Sequence, residues 1–199
     1  MERGNVIHHL RQRLAESLTP ARYKHVLGVV ETSVALARRF GAPVLDAELA
    51  AWLHDLAREW PQDRLLAHAR DRKLDVPAAW LEAPILLHGP VAADVARVEY
   101  GVEDADVLNA VYYHTTGRPG MGELEMVLFV ADAIEPSRDY PGVDDIRLLA
   151  EKDLKAAALA SLESTLRYAL DRGFAIDLTT VNARNELLNE VRRKARHSL

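Results

Sequence analysis

The chain has 199 residues, 49% hydrophobic and 28% charged, with a formal net charge of -5 and no cysteine. That length makes one domain, or at most two small ones, and buries most of a core without covalent staples. The lack of cysteine excludes a disulfide framework, a thiolate nucleophile, a sulfur-ligated zinc site and a cysteine-held iron–sulfur cluster, and the negative balance argues against a face that grips nucleic acid by its phosphates. A charged substrate would need a local positive centre, either clustered Arg and Lys or a metal. No segment approaches the roughly 18 to 20 apolar residues of a membrane span. Met1 to Leu10 has no apolar signal-peptide core, so the expected compartment is the cytoplasm and no membrane contact is expected.

The predicted elements are helices, separated by single breakers rather than by linkers or repeats. An N-terminal helix occupies residues 1–20. Thr19 and Pro20 give an N-cap and a first-turn proline for a helix over 21–40, with Val26, Val30, Val34 and Ala37 on one face and Gly41 as its stop. Asp46 is the expected cap of the next helix, which runs through Ala50, Leu53 and Asp55. Pro61 opens a short helix through Leu65 and Leu66. Pro90 opens another, closed by Gly101. A helix through Val107, Val111 and His114 ends near Gly117. The next runs from Glu123 through Val127, Val130 and Ile134 to the break at Pro136. Asp153 starts a long helix with Leu154, Leu162, Leu166 and Leu170, ended by Gly173. The last follows Thr180 and finishes in the basic run Arg192, Arg193, Lys194 and Arg196, where cations suit a helix C-terminus. No window alternates long enough for a strand. The expectation is an all-α, single-domain bundle of roughly eight to ten helices. The amphipathic helix from Asp153 to Arg172 serves either core packing or a homodimer face.

Of the eight histidines, four stand in or beside apolar stretches: His25, His54, His88 and His114. His54 and Asp55 are adjacent on a largely apolar segment, Ala50 to Leu56. Asp132 lies within the apolar run Val127 to Ile134. A buried carboxylate costs several kcal/mol unless a cation meets it. Each residue alone also reads as a core histidine with a satisfied ring, or as a solvated helix-end pair. Together they offer nitrogen and oxygen donors without sulfur, which suit iron, manganese or zinc.

The ordered set His25, His54-Asp55, His88, His114 and Asp132 resembles the HD-domain phosphohydrolase superfamily. The words around it are similar to the YqeK family: Arg22-Tyr-Lys-His25, Trp52-Leu-His-Asp-Leu-Ala-Arg58, Leu86-Leu-His-Gly89, His114-Thr-Thr-Gly117, Ala131-Asp-Ala-Ile-Glu-Pro-Ser-Arg138 and Thr180-Val-Asn-Ala-Arg-Asn185. The resemblance runs from Arg22 to Asn185 and implies an HD-domain helical bundle over residues 21–199. It implies a symmetrical bis(5'-nucleosyl)-tetraphosphatase, a phosphoric anhydride hydrolase that splits diadenosine tetraphosphate into two ADP. It further implies two divalent metal ions, iron first and manganese or another transition metal next.

On that resemblance one metal takes His25, His54, Asp55 and Asp132. The second takes Asp55, His88 and His114, with Asp55 bridging and a metal-bridged hydroxide as the attacking group. Asp55 and Arg58 are the expected catalytic residues. Arg22, Arg58, Arg138, Thr115, Thr116 and Gly117 are the expected substrate contacts, Gly117 reading equally as a helix stop. The family has Lys where this chain has Arg58, and Arg keeps the charge and a bidentate grip on phosphate but is a poor proton donor. The expected partner is a small nucleotide, with no nucleic acid. Two readings stay open beside it: action on another nucleotide or a cyclic dinucleotide, and a metal-dependent nucleotide sensor without turnover.

Overall fold

The computed structural model describes residues 3–197, and among them every regular element is helical. In chain order these are α1 (Arg3–Ser17), α2 (Pro20–Phe40), α3 (Val44–Leu53), α4 (Gln62–Asp71), α5 (Ala78–Glu82), a 3-10 turn (Pro84–Leu87), α6 (His88–Tyr100), α7 (Ala105–Tyr113), α8 (Glu123–Ile134), α9 (Val143–Ala150), α10 (Leu154–Asp171) and α11 (Leu178–His197). α5 and α9 have no counterpart among the predicted elements. α5, of five residues, is too short for a 3.6-residue period to repeat itself, and α9 spans only two turns.

Capping chemistry sets most of the helix ends. The Thr19 hydroxyl accepts from Arg22 N and Pro20 takes the first helical position, so α2 starts where its sequence says. Gly41 and Gly101 end α2 and α6 at φ 83° and 66°, a conformation that only glycine enters at no steric cost. The Asp153 carboxylate accepts from Ala156 N and opens α10.

Five boundaries differ from expectation, one being the helix expected to run through His114, which stops at Tyr113. Asp46 is not a cap: α3 begins at Val44 behind Pro43, so Asp46 sits inside the first turn, buried and paired with Arg3 Nη1 at 2.6 Å. α3 stops at Leu53, so Asp55 lies in the turn beyond it. α6 starts at His88, two residues before Pro90, whose missing N–H is harmless in a first turn. α11 starts two residues before Thr180, because the carboxylate of Asp177 accepts Thr180 N at 3.0 Å and does the capping.

Helices α2, α3, α7 and α8 pack on one another and form the centre. α8 is buried from Leu124 through Ala131 on every side, as a helix with no polar stripe must be. α1 lays Val6, Leu10 and Leu14 against this centre, contacting α3 and α2. α6 packs on α7, while α10 joins α8 to α9 and α11. The apolar face expected of α10 is half realised. Leu154 and Leu162 are buried, but Leu170 is 67% exposed because the helix outruns the body it packs on. Lys194, in the basic run of α11, pairs with the capping Asp153 at 2.6 Å.

One polar cluster away from the centre couples this packing to pH. Asp94 of α6 is buried and takes His68 Nε2 at 3.0 Å, Arg72 Nε at 2.9 Å and Arg97 Nη2 at 3.2 Å. Burial alone would raise its pKa, but hydrogen bonds from Arg72, His68 and Arg97 outweigh it and hold the carboxyl below its usual value. A carboxylate depressed in the folded state adds stability that is fully present above the ordinary pKa of about 3.9 and is lost as pH falls through the folded value. Asp94→Asn is expected to lower stability by about 1–2 kcal/mol at pH 7. It is also expected to flatten the loss of stability below pH 4, read by urea unfolding at pH 7 and pH 3.

Candidate metal centre

Three histidines are positioned by one local device. His54, His88 and His114 each follow the last residue of a helical segment: α3, the 3-10 turn and α7. Carbonyls at such ends have spare accepting capacity, Ile85 O taking the His88 N–H as well. Each ring uses one, three residues back: His54 Nδ1 to Ala51 O at 2.6 Å, His88 Nδ1 to Ile85 O at 2.5 Å and His114 Nδ1 to Val111 O at 2.7 Å. A carbonyl only accepts, so each Nδ1 carries the ring proton and each Nε2 presents a lone pair. His25, on α2, reaches the same arrangement differently, with Nδ1 against Glu135 Oε1 at 3.0 Å.

All four Nε2 atoms converge on Asp55. One donor atom from each of His25, His54 and Asp55 lies within 4.8 Å of the others, and the same is true of Asp55, His88 and His114. His54 Nε2 is 3.3 Å and His25 Nε2 3.7 Å from Asp55 Oδ2, while His88 Nε2 is 3.6 Å from Asp55 Oδ1. Asp132 joins the first group, its Oδ1 3.0 Å from His25 Nε2. The residues fit a cation on two counts. The Nε2 atoms of His25 and His54 are buried without a hydrogen-bond partner. The Nε2 atoms of His88 and His114, both lone pairs by the tautomer above, face each other at 2.9 Å. A positive centre resolves both.

The electrostatics keep the two carboxylates ionised and hold His88 and His114 in ligand form. Burial would raise Asp55, but the closeness of the His54 ring, and after it His88, holds it well below the carboxylate range. Burial also opposes ionisation of Asp132, and the nearby His25 ring and Arg138 overcome it. Burial, with the charges of His88 and His54, drives His114 down to about 3. His88 is lowered mainly by burial. His54 moves the other way, the pull of Asp55 exceeding its desolvation.

The structure brings together all six residues singled out as metal ligands. Of the expected substrate contacts, Arg22 Nη1 reaches Asp55 Oδ2 at 3.1 Å. Arg138 grips Asp132 twice, Nη2 to Oδ1 at 2.6 Å and Nε to the main-chain O at 2.7 Å. The Thr115 hydroxyl lies 3.2 Å from His114 Nε2 and 3.4 Å from His88 Nε2. Arg58 is half-buried in the turn after Asp55 and its charge is felt at His88. Thr116 and Gly117 serve the local chain. The buried Thr116 hydroxyl donates to Gly117 O, and Gly117, at φ 62°, gives its N–H to Tyr113 O and ends the turn against Leu162.

Two contributions have no counterpart in the sequence reading. Glu135, the anchor of His25, stands in the recognised phrase around Asp132 without an assigned role; its signal is an acidic residue one turn beyond that Asp. Gly89 is the other: a Cβ there would stand 2.6 Å from Tyr112 O and 3.1 Å from Val111 O. The missing side chain lets α6 close on α7 and sets His88 against His114. Gly89→Ala is expected to cost about 1–3 kcal/mol of stability. It should also lower the Mn²⁺ retained per chain after gel filtration, measured by thermal unfolding and elemental analysis.

Comparison with known proteins agrees with this geometry. A family model described as HD domain matches residues 22–137, a span that holds all six converging residues. The symmetrical bis(5'-nucleosyl)-tetraphosphatase of Bacillus subtilis (strain 168) is 44% identical over 79% of this chain and 84% of its own length. The protein of that name from Halalkalibacterium halodurans is 40% identical over 96% of this chain and 99% of its own. A solved structure, a predicted HD superfamily hydrolase involved in NAD metabolism from Clostridium acetobutylicum, is similar with a TM-score of 0.88 and 35% identity, covering 92% of this chain and 97% of that one. With its all-α architecture, six converging donors and relatives of this closeness, the chain belongs to the HD domain family, among the symmetrical bis(5'-nucleosyl)-tetraphosphatases.

Proposed function

We propose that the chain is a metal-dependent hydrolase that cleaves diadenosine tetraphosphate symmetrically into two ADP, using the His25–His54–Asp55–His88–His114–Asp132 centre. The observation that carries this reading is the pair of overlapping donor groups that share Asp55. Two groups with one common carboxylate suit two neighbouring divalent cations, iron by resemblance and manganese or zinc by donor chemistry. Bound there, such cations lower the pKa of a water and neutralise phosphoryl oxygens in an in-line displacement.

The chain's own groups supply position and charge. The Nδ1 anchors hold four rings with Nε2 inward. Arg22 and Arg138 border the centre from the Asp55 and Asp132 sides and take phosphate oxygens as charged donors. The Thr115 hydroxyl adds a neutral donor on the His88–His114 side. Water adds to the phosphorus second from one adenosine and gives up its protons to solvent, the bridging P–O bond breaks, and the electron pair leaves on the terminal phosphate of the second ADP. A terminal phosphate with a second pKa of about 6 departs as an anion at neutral pH. Charge, rather than a proton, is what the leaving group needs, so Arg58 is competent at this position.

The test is an anaerobic assay with ferrous iron and diadenosine tetraphosphate, separating the nucleotides. ADP as the only product, reduced to background in Asp55→Ala, is the expected result. AMP with ATP would overturn the register of cleavage. Arg58→Ala is expected to lower kcat/KM by roughly ten- to hundredfold, the worth of a charged hydrogen bond of about 1.5–3 kcal/mol. Arg58→Lys should retain most activity. A loss in Arg58→Lys as large as in Arg58→Ala would mean that the bidentate fork, not the charge, is needed.

A further inference from the structure

The four imidazoles of the centre are anchored in two chemically different ways. His54, His88 and His114 give their Nδ1 protons to neutral backbone carbonyls. His25 gives its proton to a carboxylate, Glu135, 110 residues away in the chain. Glu135 follows the last residue of α8 and is 1% exposed. Its carboxylate is held at every point: Oε2 accepts Ser137 N at 2.7 Å, Oε1 accepts the Ser137 hydroxyl, and Gly28 of α2 leaves the room it occupies. A Cβ at Gly28 would stand 2.5 Å from Oε2. Gly28 lies one helical turn from His25, so the turn of α2 that carries the ring also admits its anion. A carboxylate so deeply buried is tolerable only when its oxygens are bonded, and here the bonds come from Ser137 and from the imidazole.

A carboxylate behind an imidazole fixes its tautomer and orientation and strengthens the opposite nitrogen as a donor, an effect typically worth 10- to 100-fold in metal affinity. A carbonyl carries no net charge and does this less. We infer that Glu135 is a positioning residue that acts through His25 and makes the His25–His54–Asp132 side the stronger of two cation positions, the His88–His114 side the weaker. This rests on the reading of the six residues as cation donors. Cations then fill the centre in a fixed order, and the carbonyl-anchored side exchanges first.

The experiment is calorimetric titration of the metal-stripped full chain with Mn²⁺. Wild type is expected to bind in two resolved steps. His25→Ala should abolish the tighter step and His88→Ala the weaker one. Glu135→Gln keeps the volume, removes the charge and sets an amide where Ser137 needs an acceptor. It should weaken the tighter step roughly 10- to 100-fold and leave the weaker one unchanged. A readout without metal accompanies this: proton NMR of the stripped chain should contain a downfield, slowly exchanging His25 Nδ1 proton, absent in His25→Ala and shifted upfield in Glu135→Gln. Ser137→Ala should show a smaller loss in the same step, and it decides the matter if Glu135→Gln does not fold. Two equal steps in wild type, equal weakening of both steps by Glu135→Gln, or no change in either would overturn the inference. So would loss of the weaker step in His25→Ala. Failure of wild type to bind Mn²⁺ at all would instead overturn the reading of the centre, and the two failures are thereby distinct.

Discussion

Burying Asp55 is the constraint that organises this molecule. An unpaired carboxylate at that depth costs several kcal/mol, and in the turn after α3 Asp55 is 2% exposed. Helices from four parts of the chain therefore bring polar groups to it through an otherwise apolar centre: α2 brings His25 and Arg22, the 3-10 turn brings His88, α7 brings His114, and α8 brings Asp132 to His25. The same carboxylate belongs to both donor groups, so structural demand and chemical use coincide at one side chain. A cation is the natural counterpart of this arrangement, because the inward nitrogens carry lone pairs rather than protons.

Close packing turns that demand into geometry. Gly89 lets α6 approach the carbonyls of Val111 and Tyr112, and Gly28 lets the end of α8 approach α2. Neither glycine has a positive φ, so each serves by taking up no space. Interiors packed to crystal density transmit such steric demands directly. A methyl group at either site would be felt as a displaced imidazole.

Much of this architecture is legible in the sequence, for physical reasons. Thr19-Pro20, Gly41 and Asp153 state helix ends through local hydrogen bonds and allowed backbone angles, and those ends stand. Asp46 misleads because Pro43 starts the helix one turn sooner and Arg3 then claims the carboxylate. Leu170 misleads because periodicity says which face is apolar but not how far the neighbouring body extends. The donor set is legible because an ionisable residue in an apolar run is costly wherever it occurs, and because its order along the chain is distinctive. Glu135 is not, since a Glu before Pro136 reads as an ordinary helix end. Its pairing with a ring 110 residues away is purely tertiary. Thr116 and Gly117 sit beside a donor in sequence, yet their hydrogen bonds turn back into the chain.

The use of main-chain carbonyls to hold three of the rings bears on how the centre tolerates change. Replacing Ala51, Ile85 or Val111 leaves the carbonyl that each contributes in place, so no substitution at those positions deletes the anchor itself. Only the ring of His25 leans on a side chain, and there a one-residue change alters charge, reach or both. Three quarters of the scaffolding is thus insulated from mutation by being backbone, and the adjustable part is concentrated at one acidic residue.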